Sequence, residues 1–160
     1  MSPSKPKELP SSFSRPNLIE VFYWRPGFID RYLIRELNIQ EYHQISDETL
    51  HQLTESLEAL IESGHPKVEG WDLDFSSGVL TFSMGEAGTY VINKQPPSKQ
   101  IWFSSPISGP KRFDYDRELK IWFYARDDGR MMDLIRDEIS NALGDDHFVK
   151  ILDHRPKDEK

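Results

Sequence analysis

Residues 88–112 read GTYVINKQPPSKQIWFSSPISGPKR, and this stretch decides the fold of the chain. Two short runs of alternating polar and apolar residues, 89–95 and 100–104, are separated by a Pro-Pro-Ser-Lys turn. This pattern predicts two neighbouring antiparallel strands joined by a tight loop. Because side chains alternate across a strand, four apolar ones share the face that would cover a core: Tyr90, Ile92, Ile101 and Phe103.

The opposite face of this predicted hairpin carries mostly polar side chains. Alternation assigns it five residues: Asn93, Gln95, Gln100, Trp102 and Ser104. An antiparallel sheet commonly packs one face on a core and leaves the other in water. A Trp among amides on the wet face favours a docking surface, although a lone Trp half-covered by its neighbours is the simpler alternative.

Length and composition narrow the classes of protein. With 160 residues and 18.7 kDa, the chain predicts one domain around one core. The net charge of −7 argues against general nucleic-acid binding, because phosphates would be repelled. The chain has no cysteine, so any metal must be held by oxygen or imidazole. No apolar run approaches the length that spans a membrane.

Residues 1–40 form an N-terminal extension in this interpretation. Residues 1–16 are rich in Pro, Ser and Lys, which is typical of a disordered segment. Residues 17–24 read NLIEVFYW, and residues 28–37 carry apolar side chains at helical spacing after an Arg-Pro-Gly break. The extension holds six basic and four acidic residues, so it fits a mitochondrial presequence only loosely. A degenerate targeting segment and a helix that packs on the domain, or on a second copy, are both open.

Residues 42–63 carry the clearest helical pattern. Ser46 is the predicted N-cap, with Asp47 and Glu48 in the first turn, where the helix dipole favours anions. An apolar stripe at three- and four-residue spacing would lie on the sheet: Leu50, Leu53, Leu57, Leu60 and Ile61. A Gly-His-Pro sequence at residues 64–66 ends the helix.

The rest of the chain predicts an α+β fold. Alternating runs at residues 71–75, 79–84, 111–115 and 120–125 add strands to the central pair, and residues 131–143 form a second amphipathic helix. The order is helix, about six sequential strands, helix. It predicts a two-layer α-β sandwich, an antiparallel sheet with two terminal helices on one face. The domain spans residues 41–145, and residues 146–160 are a C-terminal tail.

A row of acidic residues is the strongest candidate for chemistry. Residues 41–74 contain nine carboxylates and one basic side chain. Five residues three or four apart line one side of the first helix: Asp47, His51, Glu55, Glu58 and Glu62. Three more come from the following loop and the first strand: Glu69, Asp72 and Asp74. Carboxylates with occasional imidazole suit Fe²⁺, Fe³⁺, Mn²⁺ or Ca²⁺, while a solvated acidic face and a patch for a basic partner are alternatives.

Other features add little catalytic signal. The sequence contains no nucleophile elbow, P-loop, dinucleotide-binding glycine pattern or HExxH motif. Lys94 and Lys99 are expected to be exposed strand or turn residues. Between Glu86 and Asp114 the chain has basic residues but no acid, so charge is segregated, and such a dipolar surface steers an oriented encounter with a larger protein. The residues therefore reveal no familiar catalytic site.

Three sequence blocks, VINKQ, KQIW and SGPKR, occur here in an order and spacing that resemble the central motif of the frataxin family. EYHQISDETLHQLTESLEALIE resembles the acidic first helix of that family, and DLDFSSGVLTFSM its first hairpin. The resemblance covers residues 41–145. It implies an α-β sandwich protein of the mitochondrial matrix, or of a mitochondrion-derived organelle, that binds Fe²⁺ or Fe³⁺ weakly.

The resemblance also implies partners and a place for each site. The protein would assist iron–sulfur cluster assembly by docking on a cysteine desulfurase–scaffold complex, and some family members are credited with ferroxidase activity. Iron delivery to haem synthesis implies ferrochelatase as a partner, and the protein would be a monomer or an iron-dependent oligomer. The acidic ridge implied by the resemblance comprises Asp47, Glu48, Glu55, Glu58, Glu62, Glu69 and Asp72. The implied partner-facing residues are Asn93, Gln95, Gln100, Trp102 and Arg112.

Two positions depart from the animal members of the family. His51 and Ala59 stand where the ridge of those proteins usually carries acids, which puts its metal capacity in doubt. The apolar residues 148–152 are expected to pack between the helix ends and to add stability.

Overall fold

A computed structural model describes residues 32–34 and 36–154 of the chain. In chain order its helices and strands are α1 (Ile39–Glu62), β1 (Asp72–Ser76), β2 (Val79–Ser83), β3 (Thr89–Gln95), β4 (Gln100–Ser105), β5 (Gly109–Asp116), β6 (Ile121–Tyr124), β7 (Gly129–Arg130), α2 (Met131–Leu143) and α3 (His147–Asp153). The expectations for residues 1–16 and 17–24 lie outside the described residues. Within the described part, no helix is long and apolar enough to cross a membrane.

The strands form one antiparallel sheet in sequential order from β1 to β7. The sequence predicts about six strands, and the additional one, β7, has two residues that pair with the end of β6. So short a strand has no alternation that a sequence pattern can reveal. The sheet and the helices packed on one of its faces make a two-layer α-β sandwich, which confirms the predicted α+β fold.

The core lies between the helices and one face of the sheet. Ile101 and Phe103 on β4 are buried, as are Tyr90 and Ile92 on β3, so the predicted inward face of the central hairpin is confirmed. The leucine stripe of α1 and the apolar side of α2 cover these residues. Fully burying one such side chain contributes about 1.5–3 kcal/mol to folding. The other face of the sheet, called the open face below, carries no helix among the described residues.

The first helix begins earlier than the sequence predicts. Asn38 is its N-cap, and its side-chain oxygen accepts from the backbone N–H of Glu41 at 2.8 Å while the Glu41 carboxylate accepts from the N–H of Asn38 at 3.3 Å. This capping box satisfies two backbone donors that a helix start leaves without partners. The prediction of Ser46 as the cap is wrong, because Ser46 is buried inside the helix and its hydroxyl donates to the Tyr42 carbonyl at 2.6 Å.

Tyr42 joins the start of α1 to the central hairpin. Its buried hydroxyl donates to the Gln100 carbonyl at 2.7 Å and accepts from the Gln95 N–H at 2.9 Å. The turn between these strands is a 3₁₀ turn, Pro96–Ser98, followed by Lys99 in the left-handed conformation with φ 53°. One phenol therefore fixes both ends of the turn to the helix, so the register of β3 and β4 is held from outside the sheet.

The C-terminal tail folds back on the domain as α3. Phe148 is fully buried in the core cluster, and Ile151 and Leu152 pack against that cluster. The tail contacts both α1 and α2. The expectation that residues 148–152 pack at the helix ends is confirmed.

Residues 32–34 and 36–38, called the N-terminal strap below, are not helical, and Ile34 forms a β-bridge. The helix predicted for residues 28–37 is therefore wrong where the structure describes it. Tyr32 and Leu37 are nonetheless buried against the domain, and the Leu33 N–H donates to the Asp116 carboxylate at 3.0 Å. Apolar spacing indicated burial here, but the buried residues belong to a segment without helix.

Candidate functional site

On the open face, residues of four neighbouring strands lie side by side. Val79 of β2 pairs with Asn93 of β3, Asn93 pairs with Trp102 of β4, and Trp102 pairs with Arg112 of β5. Residues directly opposite each other in a ladder share a face, and their Cβ atoms lie about 5 Å apart. Four residues from separate parts of the chain therefore form a continuous surface strip.

Trp102 is held in a defined position rather than left free in solvent. The Arg112 guanidinium lies 4.7 Å from the centre of the Trp102 ring, and the indole N–H donates to the Gln100 side-chain oxygen at 3.3 Å. Gln100 in turn donates to the Asp114 carboxylate at 3.0 Å. Such a network restricts the orientation of the partly exposed indole ring, and a side chain fixed in this way loses little conformational entropy when it is covered.

Asp114 is the residue of this network whose ionised form is disfavoured. Burial raises the pKa of its carboxyl group, and the hydrogen bond from Gln100 opposes that rise. A buried carboxylate is stabilised by a nearby cation or by a hydrogen-bond donor. Its neighbour on β5, Arg112, is exposed and is shared with the Trp102 ring.

The structure brings together all five residues predicted to face a partner. Asn93 and Gln95 lie on β3, Gln100 and Trp102 on β4, and Arg112 on β5. Asn93 and Gln95 are half-buried, and the Asn93 amide donates to the Lys94 carbonyl at 3.0 Å. The prediction that these residues bind a partner stays a prediction, but they form one surface.

Three further residues of the open face were missed by the sequence interpretation. Asp114 lies beside Gln100, while Val79 and Val91 are 37% and 38% exposed and belong to the same strip. Val91 and Asp114 lie two residues from Asn93 and Arg112, so alternation within the strand places them on the same face. Extending the period-two pattern to the next position on the same face would have identified Val91 and Asp114, whereas Val79 is found only from the pairing of β2 with β3.

The predicted acidic residues of α1 lie exposed along the helix. Asp47, Glu48 and His51 occupy its middle, and Glu55, Glu58 and Glu62 continue the row to its C-terminal end. His51 and Glu55, one turn apart, are 3.1 Å apart between the imidazole Nε2 and a carboxylate oxygen. Among the described residues, no three His, Asp or Glu side chains converge closely enough to hold a metal ion. The row offers separate ligands rather than a preformed cage.

One end of the row is already occupied by a cation from the sheet. The Lys94 ammonium lies 2.6 Å from the Asp47 carboxylate and 2.8 Å from the His43 imidazole, and it sits above the Tyr42 ring. Lys94 is half-buried, so the prediction that it is merely an exposed strand residue is wrong. Its strand position places it on the helix side of the sheet, where Asp47 is the nearest anion. Lys99 is the predicted turn residue, and its ammonium pairs with Glu36 at 3.2 Å.

The remaining predicted ligands lie apart from the helix row. Glu69 follows the 3₁₀ turn Pro66–Val68 and is exposed. Asp72 and Asp74 are exposed on the edge strand β1, where they alternate with the inward Leu73, so they lie on the open-face side of the sheet. The acidic ridge is therefore divided between a helix and the opposite face of the sheet edge.

Comparison with known proteins identifies the family. A family model described as "Frataxin-like domain" matches residues 35–145. The chain belongs to the frataxin family. The mitochondrial frataxin of Arabidopsis thaliana is 39% identical over 109 residues, which cover 68% of this chain and 57% of that protein. The mitochondrial frataxin homolog of Schizosaccharomyces pombe is 45% identical over 100 residues, 62% of each chain. The match thus spans less than two thirds of either relative.

A solved frataxin structure has the same fold. Trimeric frataxin from Saccharomyces cerevisiae, complexed with ferrous, superposes with a TM-score of 0.56 at 42% identity, covering 62% of this chain and 86% of that one. This likeness and the family match confirm the resemblance drawn from the central motif. The expected mitochondrial location is also confirmed, because the frataxins that this chain matches are mitochondrial proteins.

Proposed function

We propose that this frataxin-family chain assists mitochondrial iron–sulfur cluster assembly by binding iron and docking on a cysteine desulfurase–scaffold complex. The observation that carries the proposal is the pre-organised Trp102 on the open face, stacked on Arg112 and hydrogen-bonded to Gln100. Interface Trp residues are frequent binding hot spots, and Arg with an aromatic ring is a common partner pair at such sites. Iron–sulfur scaffold proteins and the desulfurase are the expected partners.

Each open-face residue has a role in this proposal. Trp102 enters a pocket on the partner, and Arg112 pairs with a partner carboxylate. Asn93, Gln95 and Gln100 make polar contacts around the ring. The exposed Val79 and Val91 extend the apolar part of the surface towards β2.

Iron is the cargo of the acidic row. The residues fit a hard or borderline cation, since carboxylate oxygens with one imidazole are ligands that Fe²⁺ and Fe³⁺ accept. Because the described residues include no preformed cage, each ion would be held by one or two side chains and by water. Weak binding of this kind suits the delivery of iron to another protein. A ferrochelatase, the enzyme that inserts iron in haem synthesis, is a second recipient to test.

Desulfurase turnover on a reconstituted assembly complex tests the docking role. The wild-type chain should stimulate turnover, and Trp102→Ala should abolish most of that stimulation. Leu119→Ala is the matched control, since Leu119 is 53% exposed in the turn between β5 and β6. Absence of stimulation by the wild-type chain would overturn the docking proposal.

A second candidate function is oxidation of Fe²⁺ by O₂ on the ridge with storage in oligomers. The exposed row on α1 favours it, and the yeast relative forms a trimer in a ferrous complex. Each Fe²⁺ gives one electron to O₂, so oxygen uptake measures the reaction. The triple change Glu55→Gln, Glu58→Gln and Glu62→Gln should abolish protein-dependent uptake, whereas Trp102→Ala should leave it intact.

The control for that triple variant removes three charges elsewhere. Glu86→Gln, Asp137→Asn and Asp153→Asn change exposed acids on three other elements. Oxygen uptake equal to that of free iron in buffer would exclude the enzyme function. Loss of uptake in both triple variants would mean that net charge, rather than the row on α1, attracts the iron.

A further inference from the structure

Strand β1 forms one edge of the sheet. It pairs with β2 on one side, and no described strand pairs with its other side. An edge strand presents a row of backbone N–H and C=O groups to which a further strand can bind. At the opposite edge, β7 has only two residues and leads directly into α2. Among the described strands, β1 is therefore the edge that best accommodates another strand.

The turn after β1 determines which of its backbone groups point outward. Residues 77–78 both have positive φ, 52° and 75°, which is typical of a type I′ turn between two strands. The residues on either side of such a turn, Ser76 and Val79, form a hydrogen-bonded pair. Hydrogen-bonded and non-hydrogen-bonded pairs alternate along an antiparallel ladder. The N–H and C=O groups of Leu73 and Phe75 therefore point away from β2, towards the edge.

The two faces of β1 offer different contacts to an added strand. Asp72 and Asp74 are exposed on the open-face side. Leu73 packs against the core on the helix side, and Phe75 shares that side and is 39% exposed. Residues directly opposite each other on neighbouring strands share a face. A strand that matches both faces of β1 therefore alternates basic side chains, opposite the acids, with apolar ones beside Phe75.

The sequence of β1 selects among possible strands rather than blocking all of them. Exposed edges are commonly protected by Pro, Lys or a β-bulge. The strand reads DLDFS, which contains neither Pro nor Lys, and its register with β2 is unbroken. Pairing with β1 of a second copy would bring Asp72 and Asp74 of both copies onto shared faces, and like charges in such positions are destabilising. The acids thus disfavour self-association and favour a basic strand.

We propose that β1 binds an extended basic segment of a partner protein, which joins the sheet as an additional strand. Main-chain hydrogen bonds to Leu73 and Phe75 supply affinity, and Lys or Arg side chains opposite Asp72 and Asp74 supply specificity. Strands β2 and β3 separate this edge from β4, which carries Trp102. The added strand therefore does not depend on the docking function proposed for the open face.

A synthetic peptide tests the proposal without knowledge of the natural partner. The probe is Thr-Lys-Val-Lys-Val-Lys-Thr, in which basic and apolar side chains alternate, and its binding to the full chain is measured by calorimetric titration in iron-free buffer. It should bind at least about tenfold more tightly than the same peptide with Glu in place of each Lys, because charges across an interface select the partner. Absence of binding by the basic peptide would overturn the proposal.

Methylation of the peptide backbone separates strand pairing from charge attraction. Two further peptides carry N-methyl groups on alternate amides, one on the Lys residues and the other on the Val residues. Only one edge of an added strand faces β1, so one methylated peptide should lose at least about fivefold in affinity while the other binds like the parent peptide. Equal affinities of the two methylated peptides would overturn strand addition.

A pair of substitutions at Phe75 tests the same bond from the side of the protein. Phe75→Ala and Phe75→Pro both remove the ring, but only Pro also removes the outward N–H, at an edge position where Pro is tolerated. The Pro variant should bind the basic peptide at least about threefold more weakly than the Ala variant. Equal affinities would contradict the proposal. If thermal unfolding shows that the Pro variant is not folded, the methylated peptides decide.

Removal of the two acids tests specificity. Asp72→Asn with Asp74→Asn should weaken binding of the basic peptide at least about fivefold. Glu86→Gln with Asp153→Asn is the matched control, because it removes two exposed charges from other elements, and it should bind like the wild-type chain. Equal weakening in both double variants would assign the binding to net charge and overturn the proposal. Self-association of the wild-type chain that Phe75→Pro abolishes would also overturn it, because the added strand would then come from a second copy.

Discussion

The acidic row on α1 and the open face of the sheet are both exposed, but they are built differently. On α1 the row runs along one continuous helix, where His51 contacts Glu55 and Asp47 pairs with Lys94 of the sheet rather than with another member of the row. On the open face, Arg112, Trp102, Gln100 and Asp114 form a connected network across two strands. The row is a set of independent charges, whereas the open face is a single arranged surface.

This difference decides what each region can do. Independent carboxylates attract cations over a distance and release them easily, which suits a mobile cargo. A connected network with an aromatic centre recognises one shape, which suits a protein partner. Changes in the row should therefore act gradually and additively, while changes in the open face should act sharply at single positions.

The largest expected effect separates the two sides of one strand. Phe103→Ala should lower the free energy of unfolding by about 3–5 kcal/mol, because Phe103 is 1% exposed in the core. Trp102→Ala, one residue away on the open face, should cost much less. Urea unfolding of both variants measures the difference. Equal losses would show that Trp102 belongs to the core and that its exposure is no sign of a docking role.

The next effect concerns partner binding. Trp102→Ala should weaken binding to the desulfurase–scaffold complex by at least about 2 kcal/mol, roughly 30-fold in Kd, because the ring is held ready by Arg112 and Gln100. Calorimetric titration measures the change, with Leu119→Ala, an exposed apolar residue in the turn between β5 and β6, as the control. Unchanged affinity would mean that the open face is not the surface that docks.

The sequence predicted the layout of both regions for different reasons. The row on α1 follows from helical spacing alone, and so does the inward stripe containing Leu50 and Leu57. The two faces of the central hairpin follow from alternation. These are local patterns, and a local pattern needs no knowledge of which strands become neighbours.

Part of what the sequence interpretation missed depends on contacts between distant residues. The pairing of Lys94 with Asp47 joins residues 47 positions apart, and the strap contact between Leu33 and Asp116 joins residues 83 apart. The true N-cap was missed because Asn38 precedes the first strongly periodic residues, although Asn and Ser are equally favoured at this position. Neither register nor side-chain reach across elements can be read from one segment at a time.

Lys94 connects the sheet to the acidic row on α1. Lys94→Met should lower the free energy of unfolding by about 1 kcal/mol or less, since Asp47 remains largely exposed and loses only a surface ion pair. It should also tighten iron binding to the row, because Asp47 becomes free to act as a ligand. Urea unfolding and iron titration measure the two changes.

Lys111→Met is the matched control for that experiment. It removes the same charge, but the Lys111 ammonium donates to the Ser108 carbonyl rather than to a carboxylate. Tighter iron binding in both variants would point to net charge as the cause. Tighter binding in Lys94→Met alone would show that a sheet residue limits what the helix row can hold.

The smallest expected effect concerns the pH dependence of Asp114. Burial raises the pKa of this carboxyl group, so the folded chain holds the proton more tightly than the unfolded chain does. Ionisation at neutral pH therefore opposes folding, and this penalty disappears as the pH falls below the ordinary pKa of 3.8. Asp114→Asn keeps an oxygen to accept from Gln100 and carries no charge, so it should raise the unfolding temperature at pH 7 and have no effect near pH 3.

Thermal unfolding across that pH range shows whether the ionised Asp114 carboxylate destabilises the fold or is stabilised by its neighbours. Asp74→Asn on β1 is the control, because it removes one exposed charge from the same face without disturbing the network. If Asp114→Asn instead lowered the unfolding temperature at pH 7, the positive charge of Arg112 would stabilise the Asp114 carboxylate. The open face would then be an ionic site as well as an aromatic one, and its partner surface would have to supply a donor for Asp114 as well as a pocket for Trp102.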